Sequence, residues 1–384
     1  MGLDNLDNLD NNLDNLDFKY NLHLHYKLQN QKNTYNKKGL SGLQNIGNTC
    51  FLNSIIQCLS NTLPLTDYFL SKQYEKDDPE NLNKHKVETI TVANQKTTYY
   101  PYNIITSYID LLINIWDHNY ILAPRYFKKQ LSKVIDKYNI HIQQDSHECL
   151  LYILDLLHRG LSYEIDIDII GEPQNKDDFL LHESYKTFAK CYQKNYSYII
   201  NLFNGLFYNN IQCINCNNIE HVFEPYNTIS IPIQYQNTTL YNCLDNYFNS
   251  EHIQEYNCEK CNKKGCNKTT SLFSLPNHLI IHLKRFTNKN DKIDSLVNFP
   301  LTNLDLTKYN SNKTDTNNFI YNCYAINYHI GDSTSGHYYS CCKNLNNNWY
   351  MFNDVTVKEI TMNKSYIKDA YILFYYRVFI KNNH

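Results

Sequence analysis

The chain has no excess of positive charge: Lys and Arg number 36 against 38 Asp and Glu, a formal net charge of −2. That absence removes the electrostatic footprint of a nucleic-acid or anionic-membrane binder. Charge of either sign is sparse, at 19% of residues, below the roughly 25% usual in soluble domains. No window approaches ~18 consecutive apolar residues, which argues against a membrane-spanning helix. The start of the chain lacks the basic-then-apolar pattern of an export signal. Met1-Gly2 is followed by Leu6 where a myristoylation pattern requires Ser or Thr. Without an export signal, the 13 cysteines are expected to be thiols, metal ligands or a nucleophile in an intracellular protein, rather than a disulfide framework.

What the chain does have is tyrosine, 35 of its 384 residues, each an apolar ring with a polar tip suited to filling a core. The length suits two or three ordinary domains, or one large enzyme domain with insertions. Near the start, Leu3, Leu6, Leu9, Leu13 and Leu16 recur among Asp and Asn, which prefer turns and caps to helix interiors. Residues 1–38 are therefore expected to form a disordered, low-complexity tail. From Gly39 the patterning becomes that of a folded domain. Helices are expected over Asn48–Thr62, closed by Pro64, and over Pro101–Trp116, Arg125–Ile135, Ser146–Leu161 and Asp177–Tyr192. After Ile199 short β-like runs take over: His221–Phe223, Thr228–Ile233, Leu279–Phe286, Tyr321–His329, Tyr338–Lys343, Trp349–Phe352 and Tyr371–Tyr376. A helical first half before a strand-rich second half is an α+β arrangement.

Three groups of residues carry chemistry. Asn45-Ile46-Gly47-Asn48-Thr49-Cys50 sets a cysteine at the start of the first strong helix. There the helix dipole and free N–H groups favour thiolate over thiol. Asn48 or Thr49 is placed to cap that helix, and Asn45 to donate a hydrogen bond to a developing oxyanion. The plainer alternative is that Cys50 is a small apolar core residue, as Cys58 is expected to be. Toward the other end, Gly336-His337-Tyr338 and Trp349-Tyr350-Met351-Phe352-Asn353-Asp354 flank an Asn-rich loop. A hairpin turning near Asn346 would set His337 across from Asn353 to Val355, holding an imidazole beside an amide or carboxylate. The alternative is an exposed hairpin with a solvated histidine. Third, Cys213-Ile214-Asn215-Cys216 and Cys258-Glu259-Lys260-Cys261 are Cys-x2-Cys knuckles able to share one tetrahedral Zn²⁺ in a closed, structural site. Their separation is longer than in compact zinc modules, Cys266 and His221 lie close by, and four unrelated thiols remain the alternative.

Cysteine early, histidine late and Asn or Asp after it is the order of papain-like thiol hydrolases. The interval from Cys50 to His337 is roughly twice the ~130–150 residues of that pattern, so something is inserted, and the cysteine pairs are the natural candidate.

Together these segments resemble the ubiquitin-specific protease family of cysteine deubiquitinases. Gly42 to Ser54 with Gln57 is similar to its Cys box, and Gly336-His337-Tyr338 through Asp354 to its His box. Gln143-Gln144-Asp145-Ser146-His147-Glu148 is similar to its Gln-Gln-Asp segment. Leu279 to Phe286, Val297-Asn298-Phe299-Pro300 and Ala370 to Tyr375 also match in order, over about residues 39–378. Cys149 departs from the pattern, standing where a Phe is usual. The resemblance implies a papain-like thumb, palm and fingers architecture with an inserted zinc ribbon: thumb about 39–200, fingers about 201–275, palm about 276–378. It implies Cys50 as nucleophile, His337 as base, Asn353 as orienter, Asn45 in the oxyanion hole and Asp354 as an assisting acid. Gln144, Asp145 and Glu148 would contact ubiquitin's C-terminal tail, the two carboxylates suiting its arginine guanidinium forks. Loops Thr287–Ser295 and Ile330–Ser335 would close over that tail, with His329 and His282 in packing or loop-shaping roles. The implied metal is structural Zn²⁺, held by Cys213, Cys216, Cys258 and Cys261. The implied partners are ubiquitin and ubiquitinated proteins, with no nucleic acid and no membrane, for a monomeric enzyme of the cytoplasm or nucleus.

Overall fold

The computed structural model describes residues 38–77, 86–92, 95–139, 142–287, 289, 291–315, 319–332 and 335–378. Apart from Lys38, the expected tail lies outside the described residues. In chain order, the elements that build the site and the cysteine ribbon begin with β1 (Gly42–Leu43) and the helices α1 (Cys50–Ser60), α2 (Leu63–Leu70) and α3 (Pro101–Asp117). Strand β2 (Ile121–Leu122), α4 (Arg125–Val134), α5 (Ser146–Leu161) and α6 (Lys176–Tyr192) follow. Next come β3 (Gly205–Cys213), β4 (Ile219–Tyr226), β5 (Ile229–Pro232), α7 (Leu240–Tyr247), β6 (Glu251–Asn257), β7 (Lys264–Ser274) and β8 (His278–Lys284). The chain finishes with β9 (Ile320–Gly331), β10 (Gly336–Lys343), β11 (Trp349–Asn353), β12 (Thr356–Ile360) and β13 (Ala370–Arg377).

Contacts divide the chain into two compact units. The first holds the chain through Tyr163 with Asn195–Ile199 and Tyr324–Tyr366. Four of its strands run in the order β12-β11-β10-β9, each pair antiparallel, while β1 and β2 pair parallel. Helix α1 packs on β10, α5 and α2, while α3 packs on α4 and α5. An apolar face was expected of α1, from Phe51, Leu52, Ile55, Ile56 and Leu59. Instead all of its residues are buried, and the polar ones bond inward: Asn53 to Leu43 and Gln44 carbonyls, Gln57 to the Ser41 carbonyl. Pro64, expected to close this segment, opens α2 instead, in a first turn where its missing N–H costs no helical bond.

The second unit holds Glu164–Lys194, Ile200–Cys323 and the chain from Ile367. It contains an antiparallel ribbon ordered β4-β3-β7-β6, packed under α6 through Leu180, Leu206, Tyr208, Phe223 and Phe273. Beside it in sequence, β8 pairs antiparallel with β13 and parallel with β5. Among the described residues no helix is long and apolar enough to cross a membrane.

Candidate active site

Cys50 begins α1 after a turn in which Gly47 (φ 104°) and Asn48 (φ 52°) take left-handed backbone conformations, open to Gly and tolerated by Asn. Thr49 occupies the cap position but makes no side-chain cap bond. Its hydroxyl accepts from the Ile46 N–H (3.0 Å), while its own N–H donates to Asn45 Oδ1 (3.0 Å). The expected capping is thus replaced by a loop folded on itself through Asn45. Cys50 is buried, as is Cys58.

His337 reaches this thiol from β10. The β10–β11 register runs from Ser340 opposite Phe352 to Lys343 opposite Trp349. Continued by one pair, it sets Tyr339 opposite Asn353, and His337, two positions along, shares that side of the strand. Alternation therefore turns Asn353 toward the ring and Asp354 away. His337 Nε2 donates to Asn353 Oδ1 at 2.6 Å, since a carbonyl oxygen can only accept. That leaves Nδ1 for Cys50. The hydrogen bond to Cys50 is the main cause that pushes the ring up to about 9; burial opposes it, and Asn353 and the charges of Cys50 and Asp354 add to it.

Asp354 has φ 47° and is turned into the Cys50 loop. Its carboxylate accepts from Asn45 Nδ2 (3.1 Å) and Asn53 Nδ2 (2.8 Å), and its carbonyl from the Leu43 N–H (2.8 Å). One hydrogen of Asn45 Nδ2 is thereby committed and the other remains to donate. Asn53, buried one turn after Cys50, was missed from sequence; an asparagine on the same helical face as Cys50 was the available signal.

The Gln-Gln-Asp segment leads into α5. Asp145 caps that helix by accepting from the Glu148 N–H at 2.8 Å. Glu148 is ion-paired with Lys137, and the Tyr152 hydroxyl donates to it at 3.4 Å. Gln144 is half-buried between them and Gln143. It is Gln143, also missed, that joins the histidine strand: its Oε1 accepts from the Gly336 N–H (2.9 Å) and its Nε2 donates to the Gly336 carbonyl. His329 is buried against Tyr338, and His282 bonds Ser230 (3.1 Å) and packs on Tyr371. Cys149 is buried, and burial pushes its thiol up to about 12.

In the second unit, Cys213 ends β3, Cys216 follows it, and Cys258 and Cys261 lie between β6 and β7. Their four sulfurs lie within 4.8 Å of one another, with Cys213–Cys261 and Cys216–Cys258 each at 3.7 Å. Four thiolates ~2.3 Å from a tetrahedral metal stand about 3.8 Å apart, so this donor set fits such an ion. Backbone N–H groups of Cys216 and Asn215 aimed at the Cys213 sulfur lower its thiol, favouring the ligating form. Cys266 faces Cys213 across β3 and β7 without joining the cluster. The other alternative ligand, His221, bonds the Tyr208 hydroxyl at 2.6 Å.

A family model described as ubiquitin carboxyl-terminal hydrolase matches residues 41–375. Human ubiquitin carboxyl-terminal hydrolase 2 is 32% identical over 358 residues, covering 89% of this chain and 56% of its own length. The chicken protein of the same name is 32% identical over 357 residues, covering 88% of this chain and 93% of its own. The chain thus spans about half the length of the human, bovine and rat relatives it matches. A solved SAGA DUB module containing Ubp8, bound to monoubiquitin, aligns with a TM-score of 0.67 and 23% identity over 90% of this chain and 71% of that one. A module bound to ubiquitin aldehyde gives the same values. At that identity the likeness shows the fold, the α+β thumb–palm–fingers class with its cysteine ribbon.

Proposed function

The chain belongs to the ubiquitin carboxyl-terminal hydrolase family, and on that premise we propose that it is a thiol-dependent deubiquitinase cleaving the bond after ubiquitin's C-terminal glycine. The observation that carries this reading is His337 held between Cys50 and Asn353. The Cys50 thiolate attacks the glycine carbonyl carbon, and the free hydrogen of Asn45 Nδ2 meets the oxyanion. The C–N bond breaks as the His337 imidazolium gives its proton to the leaving lysine amine. Neutral His337 then takes a proton from water, whose oxygen attacks the thioester, and the sulfur departs as thiolate. Asn353 fixes the ring by holding Nε2, and Asp354 holds Asn45 in place.

Asp145 and Glu148, with Gln144 beside Asp145, receive arginines of the ubiquitin tail. Lys137 occupies Glu148 in the free protein, so a tail guanidinium must displace it. That competition favours Arg over Lys, whose single ammonium offers no fork. Zn²⁺ on Cys213, Cys216, Cys258 and Cys261 would be structural, since four thiolates leave no position for water. Partners are ubiquitin and its conjugates, acted on by a monomer inside the cell.

The test is a ubiquitin probe with a thiol-reactive C-terminal warhead, run beside Cys50→Ala. A ubiquitin-sized mass gain on the wild type, absent from the variant, is expected. No adduct on folded wild type, or an adduct only with a different modifier's probe, overturns the assignment.

A further inference from the structure

His337 lies one residue past the pair that ends the β9–β10 ladder. Gly331 and Gly336 face each other across the β9–β10 hairpin. The Asp332 N–H donates to the Ser335 carbonyl at 3.0 Å, and the Ser335 N–H to Asp332 Oδ1 at 2.7 Å. On its other edge, β10 is paired by β11 only from Ser340 to Lys343. Gly336 lies beyond that register, and Gln143 supplies both of its backbone bonds, as a neighbouring strand would. Gly336 has no slack on its side-chain face either: a Cβ there would lie 2.2 Å from His329 Nε2, so the backbone is held at its edge by the Gln143 amide and covered on one face by the His329 ring.

The segment carrying Gln143 is itself fixed to the nucleophile's helix. Ser146 Oγ donates to Asn327 Oδ1 (2.8 Å), Asn327 Nδ2 to Ser54 Oγ (2.8 Å), and Ser54 Oγ to the Phe51 carbonyl (3.0 Å). All three side chains are buried. One end of residues 143–146 is thus tied to the first turn after Cys50, and the other to the residue before His337.

We propose that Gln143 is a positioning residue, setting the reach of His337 to Cys50 by clamping Gly336 in a frame shared with α1. The proposal rests on the assignment of Cys50 and His337 as a reacting pair. The ring follows its backbone, and a displacement of about 1 Å between reacting groups costs up to a hundredfold in rate. The effect falls on the chemical step, because the Gln143 amide is spent on Gly336.

The experiment compares Gln143→Ala and Gln143→Glu with wild type. Glu keeps the length and the acceptor but cannot donate to the Gly336 carbonyl, and it guards against an alanine variant that fails to fold. Two readouts are taken: kcat and KM on a ubiquitin C-terminal amide, and the rate of Cys50 alkylation by a small neutral haloacetamide, resolved by peptide mass spectrometry. Expected are a kcat loss of about ten- to a hundredfold for Ala and less for Glu, KM within about twofold, and slower Cys50 alkylation in the same order. A raised KM with unchanged kcat, or Cys50 alkylation at the wild-type rate in both variants, overturns the proposal. Alkylation needs no ubiquitin, so a wild type inactive on ubiquitin would fail the functional assignment and leave this comparison decisive.

Discussion

At the scale of single residues, Asn353 and Asp354 are neighbours with separate partners, one bonded to the His337 ring and the other to Asn45. Asn353→Ala should lower kcat by about a hundredfold, since the ring loses its hydrogen-bonded anchor at Nε2. Asp354→Ala should lower kcat by about tenfold through a loosened Asn45, while the His337 titration, followed by NMR, falls less than in Asn353→Ala, since the Asp354 charge is the smallest of its causes. A fall in that titration equal to the one in Asn353→Ala would instead give Asp354 the ring-orienting role. The sign of the pH effect follows from the pair. The His337 ring is held above the ordinary ~6.5 of histidine, so the imidazolium needed by the leaving amine survives through neutral pH, and activity declines as pH rises through about 9. In Cys50→Ala the main cause is removed, and the NMR titration should fall from about 9 toward ~6.5. Much of this was readable from sequence: a turn near Asn346 already sets the hairpin partners. Spacing alone did not say which of two adjacent residues meets the ring, because a one-residue slip exchanges them; the choice of Asn353 came from the family resemblance. Gln143 was also hidden, since its partner is a main-chain group that any residue type would offer.

Among the elements, the helices stood out by their apolar spacing, and α5 begins and ends where the sequence placed it, at Ser146 and Leu161. The long strands β3 and β7 did not. They carry Asn209-Asn210 and Asn267-Lys268-Thr269-Thr270, polar on both faces, so the period-two alternation that marks a half-buried strand is missing. The end of β8 hides a further device. Arg285 is buried, donating from Nε to the Ala370 carbonyl (2.6 Å) and from Nη1 to Ile293 and Ser295 carbonyls (2.9 Å each). It thereby fixes the base of the loop expected to close on the tail. Removing it strands three carbonyls, and Arg285→Met should cost on the order of 3 kcal/mol or more in urea unfolding. A change under 1 kcal/mol would mean that water replaces the guanidinium there.

For the whole molecule, the two compact units make separable predictions. Cys50, His337 and Asn353 belong to the first and the cysteine cluster to the second. Stripping Zn²⁺ with a chelator should lower the thermal midpoint of the ribbon and weaken ubiquitin binding, yet leave Cys50 alkylation at its metal-loaded rate. An unchanged melting profile after demetallation would count against a structural metal. The family pattern was legible because its motifs are local strings; the composition of the first unit was not, because it joins the start of the chain to residues 324–366. That joining also bears on synthesis. His337 and Asn353 meet through one short hairpin, but Cys50 stands most of the chain away from them in sequence. Translated from the N-terminus, a nascent polypeptide exposes Cys50 long before His337 leaves the ribosome. Until then its thiol has no imidazole partner, so on the proposed assignment a nascent chain that has not yet made the β10–β11 hairpin would be inactive towards the conjugates around it.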